Sequence, residues 1–476
     1  MPKNQVFGFL LLASAMVTQP GRAADLAQVG PQASAAQIVA ASGRGAQTIL
    51  RLTFTVSGGR QNNPESMSAD LAPDYLLVRT GGRATIYDYK LRRTLVLDEA
   101  ARNFSNDSLY GLADFRVAEK YNRRMLRGVL AKLGKLDAVD DAFWEESELH
   151  VVDPREPSPL AQRQSMPDGK IRFDYKNSEV ASFTVSDQTL MPGEAAGLRH
   201  LLTEQTTLHP AIIAALAESG HVPKRLSFVL PLSRQKGTEI WVLQSASRQT
   251  AAYPLTANYA ALPLAQRKDL SALADVLPVM LEAGRANKAS HSLAQYQAAI
   301  ADALSKKASF QAALLAFEAS EQYGESALDC SGGQAGCHSL KEIFTEAQKD
   351  ARANAMLHAL GTEKADRAKA ITEMQGVRHD NVTNGYVVDD FAGNMLGGAG
   401  RQKEAVPLIA NAVRGDPYVA GYYKDMGDVF RMAFNPSPAW ICYDLGRVLP
   451  GGPAAPVIDE INKYETQLAR DFPQFF

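Results

Sequence analysis

The sequence predicts an α+β protein, with an N-terminal antiparallel sheet domain followed by an all-α helical repeat domain. Three observations carry this. Short segments alternate apolar and polar residues up to about residue 255, as half-buried strands do. From about residue 270 these segments give way to Ala-rich amphipathic stretches that run to the C-terminus. Within those stretches Gly393 and Gly427 stand 34 residues apart, each three residues before a large apolar side chain, Leu396 and Phe430.

In chain order, residues 1–23 have the layout of a secretory signal peptide. One Lys in MPKNQ precedes the apolar run VFGFLLLASAMV, and TQPGRAAD then supplies small residues for cleavage after Ala23. That run is too short to cross a bilayer, and no later segment reaches the roughly 18 apolar residues a spanning helix needs. The mature chain is therefore expected to be periplasmic or secreted. Residues 24–46 form a flexible or helical lead-in, with SAAQIVAASGRGAQTIL read as a short helix. The sheet domain is expected over 47–255. Its strands are LRLTFTVSG, YLLVRT, RATIYDYK, RTLVLDEA, KIRFDYK, EVASFTV, RLSFVLPLS and TEIWVLQSAS. Helices are expected at about 112–136, ending near Gly134, and at LHPAIIAALAESGH, the latter covering part of the apolar sheet face. The Pro-rich stretch 151–169 reads as an exposed connection, 256–269 as a linker and 270–476 as the helical repeat domain.

Composition excludes little. Hydrophobic residues make up 46% and charged residues 21%, ordinary for a globular chain of 476 residues, and a net charge of -2 argues against a basic nucleic-acid binder. Cys330 and Cys337 bracket SGGQAG, and an oxidising compartment would let them pair, closing a loop worth about 2–3 kcal/mol in the chain-entropy model. The alternative is a zinc site with His338, but six intervening residues and one His make a poor ligand pattern. Cys442 reads as a buried small hydrophobe.

A 34-residue period follows when two helices pack closely through a small residue on one and an Ala on the next, leaving a face that only another pair covers. Gly393, Leu396, Ala405, Ile409, Ala412 and Pro417 have this order. Met426, Gly427, Phe430, Ala439 and Tyr443 repeat it, with Gly446 in an Ala position. Ala301, Leu304, Ala313 and Phe317 fit the same register. The region resembles the tetratricopeptide repeat family. It departs from that pattern in lacking the usual Trp, whose place Asp389 and Tyr423 take, and in carrying Pro436 and Pro438 before the last helix. The resemblance implies a solenoid surface that accepts a protein or peptide, with Asn394, Arg401, Tyr422, Tyr423 and Lys424 as candidate contacts.

The N-terminal half, a helix leading into LRLTFTVSG and GGRATIYDYKLRRTLVLDEA, faintly resembles periplasmic lipoprotein carriers, in which a curved sheet holds acyl chains. That likeness implies a rim at Asp88, Arg92 and Arg93. An apolar pocket lined by Phe54, Ile86, Phe173 and Phe228 would favour a carrier, whereas the same residues packed solid would favour the binding reading.

No catalytic pattern stands out. The eight His form no HExxH pair, no GxSxG elbow occurs, and the Gly-rich NMLGGAGR lacks the Lys-Ser/Thr of a phosphate loop. Asp140, Asp141, Glu145 and Glu146 near Trp144 read as a solvated helix face. No cofactor or metal site is expected. The sequence thus points to an exported, non-catalytic binding or scaffold protein that holds a protein or peptide partner. The alternative is a periplasmic carrier of an apolar ligand (lipid or acyl chain) in the sheet domain.

Overall fold

The computed structural model describes residues 29–476 apart from Arg60 and the segments 136–140, 153–157, 231–236, 287–290, 331–336, 363–365, 378–381 and 451–454. The expected signal peptide, 1–23, lies outside the described residues. Helix α1 (Ala35–Ser42) begins at a capping box in which Ser34 and Gln37 satisfy each other's backbone amides. Six strands follow: β1 (Gln47–Gly58), β2 (Gln61–Leu71), β3 (Tyr75–Thr80), β4 (Arg83–Asp88), β5 (Arg93–Asp98) and β6 (Asn103–Ser108). Helices α2 (Leu109–Lys132) and α3 (Ala142–Leu149) lead to β7 (Gln162–Ser165), β8 (Ile171–Tyr175) and β9 (Ser178–Thr189). Next come α4 (Pro192–Gln205), α5 (Pro210–Glu218), β10 (His221–Leu230), β11 (Gly237–Ala251) and β12 (Ala260–Ala261). The described strands form one twelve-stranded sheet, ordered β12-β6-β5-β4-β3-β2-β1-β11-β10-β9-β8-β7. Every pairing is antiparallel except that of the two-residue β12, which runs parallel to β6. The fold class is α+β.

Strands β2, β6 and β7 lie where the sequence shows no strand pattern. QNNPESMSADL, NFSNDS and QRQS are polar, and their backbones are recruited by pairing with β1 and β3, β5, and β8 respectively. The sheet buries both faces, but in different places. Leu52, Ala69 and Val78 pair side by side, so they share one face with Phe54 and Met67, and there they pack on Leu198, Leu201 and Leu202 of α4 and Ile212 and Leu216 of α5. Each such buried Leu or Ile contributes about 1.5–3 kcal/mol. On the other face Leu77, Ile86 and Leu95 pair side by side and are buried in turn.

That register corrects the expected pocket. Ile86 points away from the face that Phe54, Phe173 and Phe228 share, so the four do not line one cavity. The other three are buried in a single cluster, where Trp241 packs on Phe54 (ring centroids 5.5 Å) and on Phe228 (6.1 Å). The expected rim is also interior. Asp88 is fully buried and accepts from Arg44 (2.5 and 2.8 Å), the Tyr253 hydroxyl (2.6 Å) and the Leu91 amide (2.8 Å). Arg93 is buried against Asn106 (2.7 Å), and the Arg92 guanidinium lies over the Phe476 ring at 5.2 Å.

Among the described residues that follow, the α-helices are α6 (Leu277–Arg285), α7 (Leu293–Ser305), α8 (Ser309–Tyr323), α9 (Leu340–Ala347), α10 (Ala351–Leu360), α11 (Arg367–Gln375), α12 (Tyr386–Gly398), α13 (Gln402–Gly415), α14 (Ala420–Met432), α15 (Pro436–Val448) and α16 (Pro456–Asp471). Leu264–Tyr464 forms one compact unit. Pro31–Pro263 together with Glu465–Phe476 forms the other, so the last residues of the segment assigned to the helical half belong with the sheet. Their aromatic rings account for this: Phe475 and Phe472 are buried, and Phe476 packs on Tyr110 at 4.9 Å.

Cys330 and Cys337 form a disulfide, and Cys442 is a buried free thiol. Replacing both Cys330 and Cys337 with Ser is expected to destabilise the helical unit by about 2–3 kcal/mol. Chemical denaturation with and without reductant checks this. If reductant leaves the wild-type midpoint unmoved, the bond contributes nothing.

Candidate functional site

Helix α8, SFQAALLAFEASEQY, is mostly Ala, Leu and Phe, and it packs into two apolar clusters. After Gln311 near its start, three long polar side chains break this pattern in its second half: Glu318, Glu321 and Gln322. They point toward α12 and α14 and build a polar seam inside the helical unit.

At one end Glu318 is fully buried. Its carboxyl accepts from the hydroxyls of Tyr296 (3.1 Å) and Tyr386 (3.1 Å) and from the Asn384 amide, itself oriented by Gln311 (2.7 Å). Burial, with the neighbouring Asp416 charge, pushes the Glu318 carboxyl up to about 7. Beside it, Gln322 accepts the amide of Ala420 (3.0 Å) and so satisfies one open donor at the start of α14.

At the other end stands a group of carboxyls. Gly421 lets α14 approach Glu321, since a Cβ there would meet the Glu321 carboxylate oxygen at 2.4 Å. Burial and the Asp425 charge push Glu321 up to about 8. Asp390 is fully buried, shares a hydrogen bond with Asp425 and is held well above the usual carboxylate range by burial and by that neighbour. A second carboxyl beside it disfavours ionising both. Asn394 donates to Asp425. Lys424 pairs with Asp428 (2.9 Å) and lies 3.6 Å from Glu460. Burial alone would lower the Lys424 ammonium, but Asp428 and Asp425 outweigh it and raise it. Among the described residues no group of three or more His, Cys, Asp or Glu is arranged to hold a metal ion.

The residues proposed for a partner are thus divided. Tyr422 and Tyr423 are fully buried and offer a partner no surface; the Tyr423 hydroxyl donates to the Pro417 carbonyl (2.8 Å). Asn394 and Lys424 serve the seam. Arg401 alone is exposed, bonded to Glu404 (2.5 and 2.8 Å). Burial of the tyrosines follows from the Ala- and Gly-rich faces around them, which the sequence displays but whose facing partners it does not.

The packing positions meet as pairs. A Cβ on Gly393 would lie 2.5 Å from Ile409 and 3.1 Å from the Ala405 carbonyl, and one on Gly427 would lie 2.3 Å from Tyr443 and 3.0 Å from the Ala439 carbonyl. These are the same two contacts 34 residues apart: α12 closes on α13, and α14 closes on α15. Leu396, Ala412 and Phe430 are buried beside them. In the earlier hairpin Ala313 of α8 is buried, Ala301 and Leu304 of α7 are half-buried, and Tyr296, Ile300 and Ala303 are the buried side chains of α7.

Of the acidic group of the sheet unit, Asp140 lies outside the described residues, Asp141 is half-buried, and the two glutamates are interior. Glu145 and Glu146 are buried around Lys120, at 3.1 and 3.2 Å, so they do not form a solvated face. Ser158, His209 and Glu146 meet there in a way that resembles a hydrolase triad but is wired differently. His209 Nδ1 accepts the Ala211 amide (3.2 Å), which leaves the proton on Nε2 to bond Glu146 (3.0 Å). The Ser158 hydroxyl donates to the same carboxylate (2.6 Å). Burial works to raise Glu146, but His209, Ser158 and Lys120 bring it below its ordinary value. The imidazole has no free nitrogen to take the serine proton, so the arrangement fastens helices and does not activate a nucleophile.

No family model, curated protein or solved structure matches this chain.

Proposed function

We propose that this chain is an exported, non-catalytic binding protein whose helical unit is a tetratricopeptide-like stack holding a protein or peptide segment. The observation that carries this reading is the recurrence of one close contact, Gly393 on Ala405 and Ile409, then Gly427 on Ala439 and Tyr443. Stacked pairs of this kind present an extended surface for a partner segment. Export is supported by the order of charged, apolar and small residues in 1–23 and by a disulfide suited to an oxidising compartment. With Tyr422, Tyr423 and Lys424 committed inside, the partner-facing side chains are sought on α13 and at its start, where Arg401, Lys403 and Asn411 are exposed. The carrier alternative loses its specific support, because its proposed lining is divided between two sheet faces.

Photoreactive residues placed at Lys403 and Asn411 of the full chain, in intact producing cells, test the proposal against a control at Lys170 in the sheet unit. A discrete protein adduct from α13 alone is the expected result. Absence of any adduct, with lipid co-purifying on the chain, would overturn it in favour of the carrier.

A further inference from the structure

Helix α2 is amphipathic in an inverted sense. Its first half is seated in the sheet unit through Tyr110, Ala113 and Val117. Further along, the stripe facing the protein is charged. Arg116 pairs with Glu204 (3.3 Å), Lys120 with Glu145 and Glu146, Arg123 with Glu148 (2.8 Å) and Arg127 with Glu145 (3.0 Å). Spacings of four, three and four put these residues on one side of the helix. The opposite side carries Met125, Leu126, Val129 and Leu133, with relative exposures of 69%, 49%, 54% and 63%. Four large apolar side chains left in water on two adjacent turns are unusual for a protein surface.

Charge identifies what covers them. The segment 122–135, NRRMLRGVLAKLGK, has five basic residues and no acidic one, in a chain of net charge -2. Arg123 and Arg127 are spent on inward pairs, while Lys132 and Lys135 are exposed at the end of the apolar stripe. We propose that this half of α2 docks on the surface of an anionic lipid bilayer. Its apolar stripe lies among the acyl chains nearest the headgroups, and Lys132 and Lys135 reach lipid phosphates. Apolar area and cationic charge on one helix act together at such an interface, and lysine stems let the ammonium groups rise to headgroup level. A second copy of the chain would bring its own exposed Lys132 and Lys135 against these two, which disfavours a self-paired helix. This proposal is independent of the peptide-binding reading, since it concerns a different unit.

Flotation of the full chain with vesicles of 30% phosphatidylglycerol in phosphatidylethanolamine tests it, with pure phosphatidylcholine vesicles as reference. Binding to the anionic vesicles is expected to be at least about tenfold stronger and to weaken several-fold between 50 and 500 mM salt. The double variant Leu126→Asp/Val129→Asp should lose at least about tenfold. Because the altered side chains are exposed, its circular dichroism and melting should match wild type. Should it misfold, Lys132→Glu/Lys135→Glu keeps the apolar stripe and should lose a comparable factor at low salt. Val129→Trp should show a blue-shifted emission with anionic vesicles. Equal binding to both vesicle types, binding indifferent to these variants, or a solution dimer that Leu126→Asp/Val129→Asp converts to monomer would each overturn the proposal.

Discussion

Replacing Gly427 with Leu is expected to lower the melting temperature of the helical unit by about 6–12 °C. A first side-chain carbon at this position already falls 2.3 Å from the Tyr443 ring and 3.0 Å from the Ala439 carbonyl. The ring can turn, but the carbonyl belongs to the α15 backbone and cannot move without parting the hairpin. Overpacking against a fixed backbone costs about 3 kcal/mol or more, and each kcal/mol shifts melting by about 2–4 °C in a unit of this size. Gly393→Leu should cost a similar amount, because Ile409 and the Ala405 carbonyl stand in the same relation to it. Gly128→Leu serves as control. Its Cβ would meet open space on the exposed part of α2, so its effect should be within a degree or two and in the stabilising direction. Differential scanning calorimetry reads all three variants. Unchanged melting in Gly427→Leu would remove the packing account and the repeat reading with it.

Raising pH from 5 to 8.5 is expected to destabilise the helical unit, and lowering it from 7 to 4 the sheet unit. Glu318 sits near 7 in the fold against an ordinary value of 4.5, and Glu321 and Asp390 are raised in the same direction. Between about pH 4.5 and 8 the folded unit therefore binds more protons than the unfolded chain. Stability from these groups is fully present below pH 4.5 and is lost as pH rises through their folded values. Glu318 alone accounts for on the order of 3 kcal/mol. The groups facing the seam are named above: Asp416, Tyr296 and Tyr386 at Glu318, and Asp425, Lys424 and Glu460 at Glu321.

The sheet unit behaves in the opposite way. Burial, with the Arg116 charge, pushes His150 down to about 3, and burial with Arg92 pushes His200 down to about 4. Their contribution is present above about pH 6.5 and is lost as the medium acidifies toward those values. Amide hydrogen exchange resolves the two units. Peptides from α8, α12 and α14 should exchange faster at pH 8.5, after correction for intrinsic rate, and the double variant Glu318→Gln/Asp390→Asn should flatten that trend. A folded double variant with the wild-type pH slope would refute the assignment.

Much of the architecture was legible because it depends on local periodicity. The alternation in LRLTFTVSG and the short apolar run of YLLVRT specify strands, and PAIIAALAE specifies the helix that covers them. The 34-residue spacing of Gly393 and Gly427 marked the positions where helices touch. Strands β2, β6 and β7 were hidden because most of their side chains are polar: Asp70 and Asn106 are buried only through Arg51 and Arg93 of neighbouring strands, β7 is exposed, and pairing with a neighbour makes them strands. The seam left a partial trace, since Glu318, Glu321 and Gln322 follow the apolar run Ala312–Phe317 of their helix. Nothing in the chain order connects them to Asp390, Asp416 or Asp425.

By itself the sequence determined the α+β class, the places where strands give way to helices, and the close-packed glycines, since each is a property of one segment and its period. Which sheet face Ile86 joins, whether Tyr422 and Tyr423 meet solvent, and which carboxyls lie buried together were decided only by tertiary structure. Those outcomes depend on residues brought together from distant parts of the chain, where register and burial, not local pattern, set the free energy.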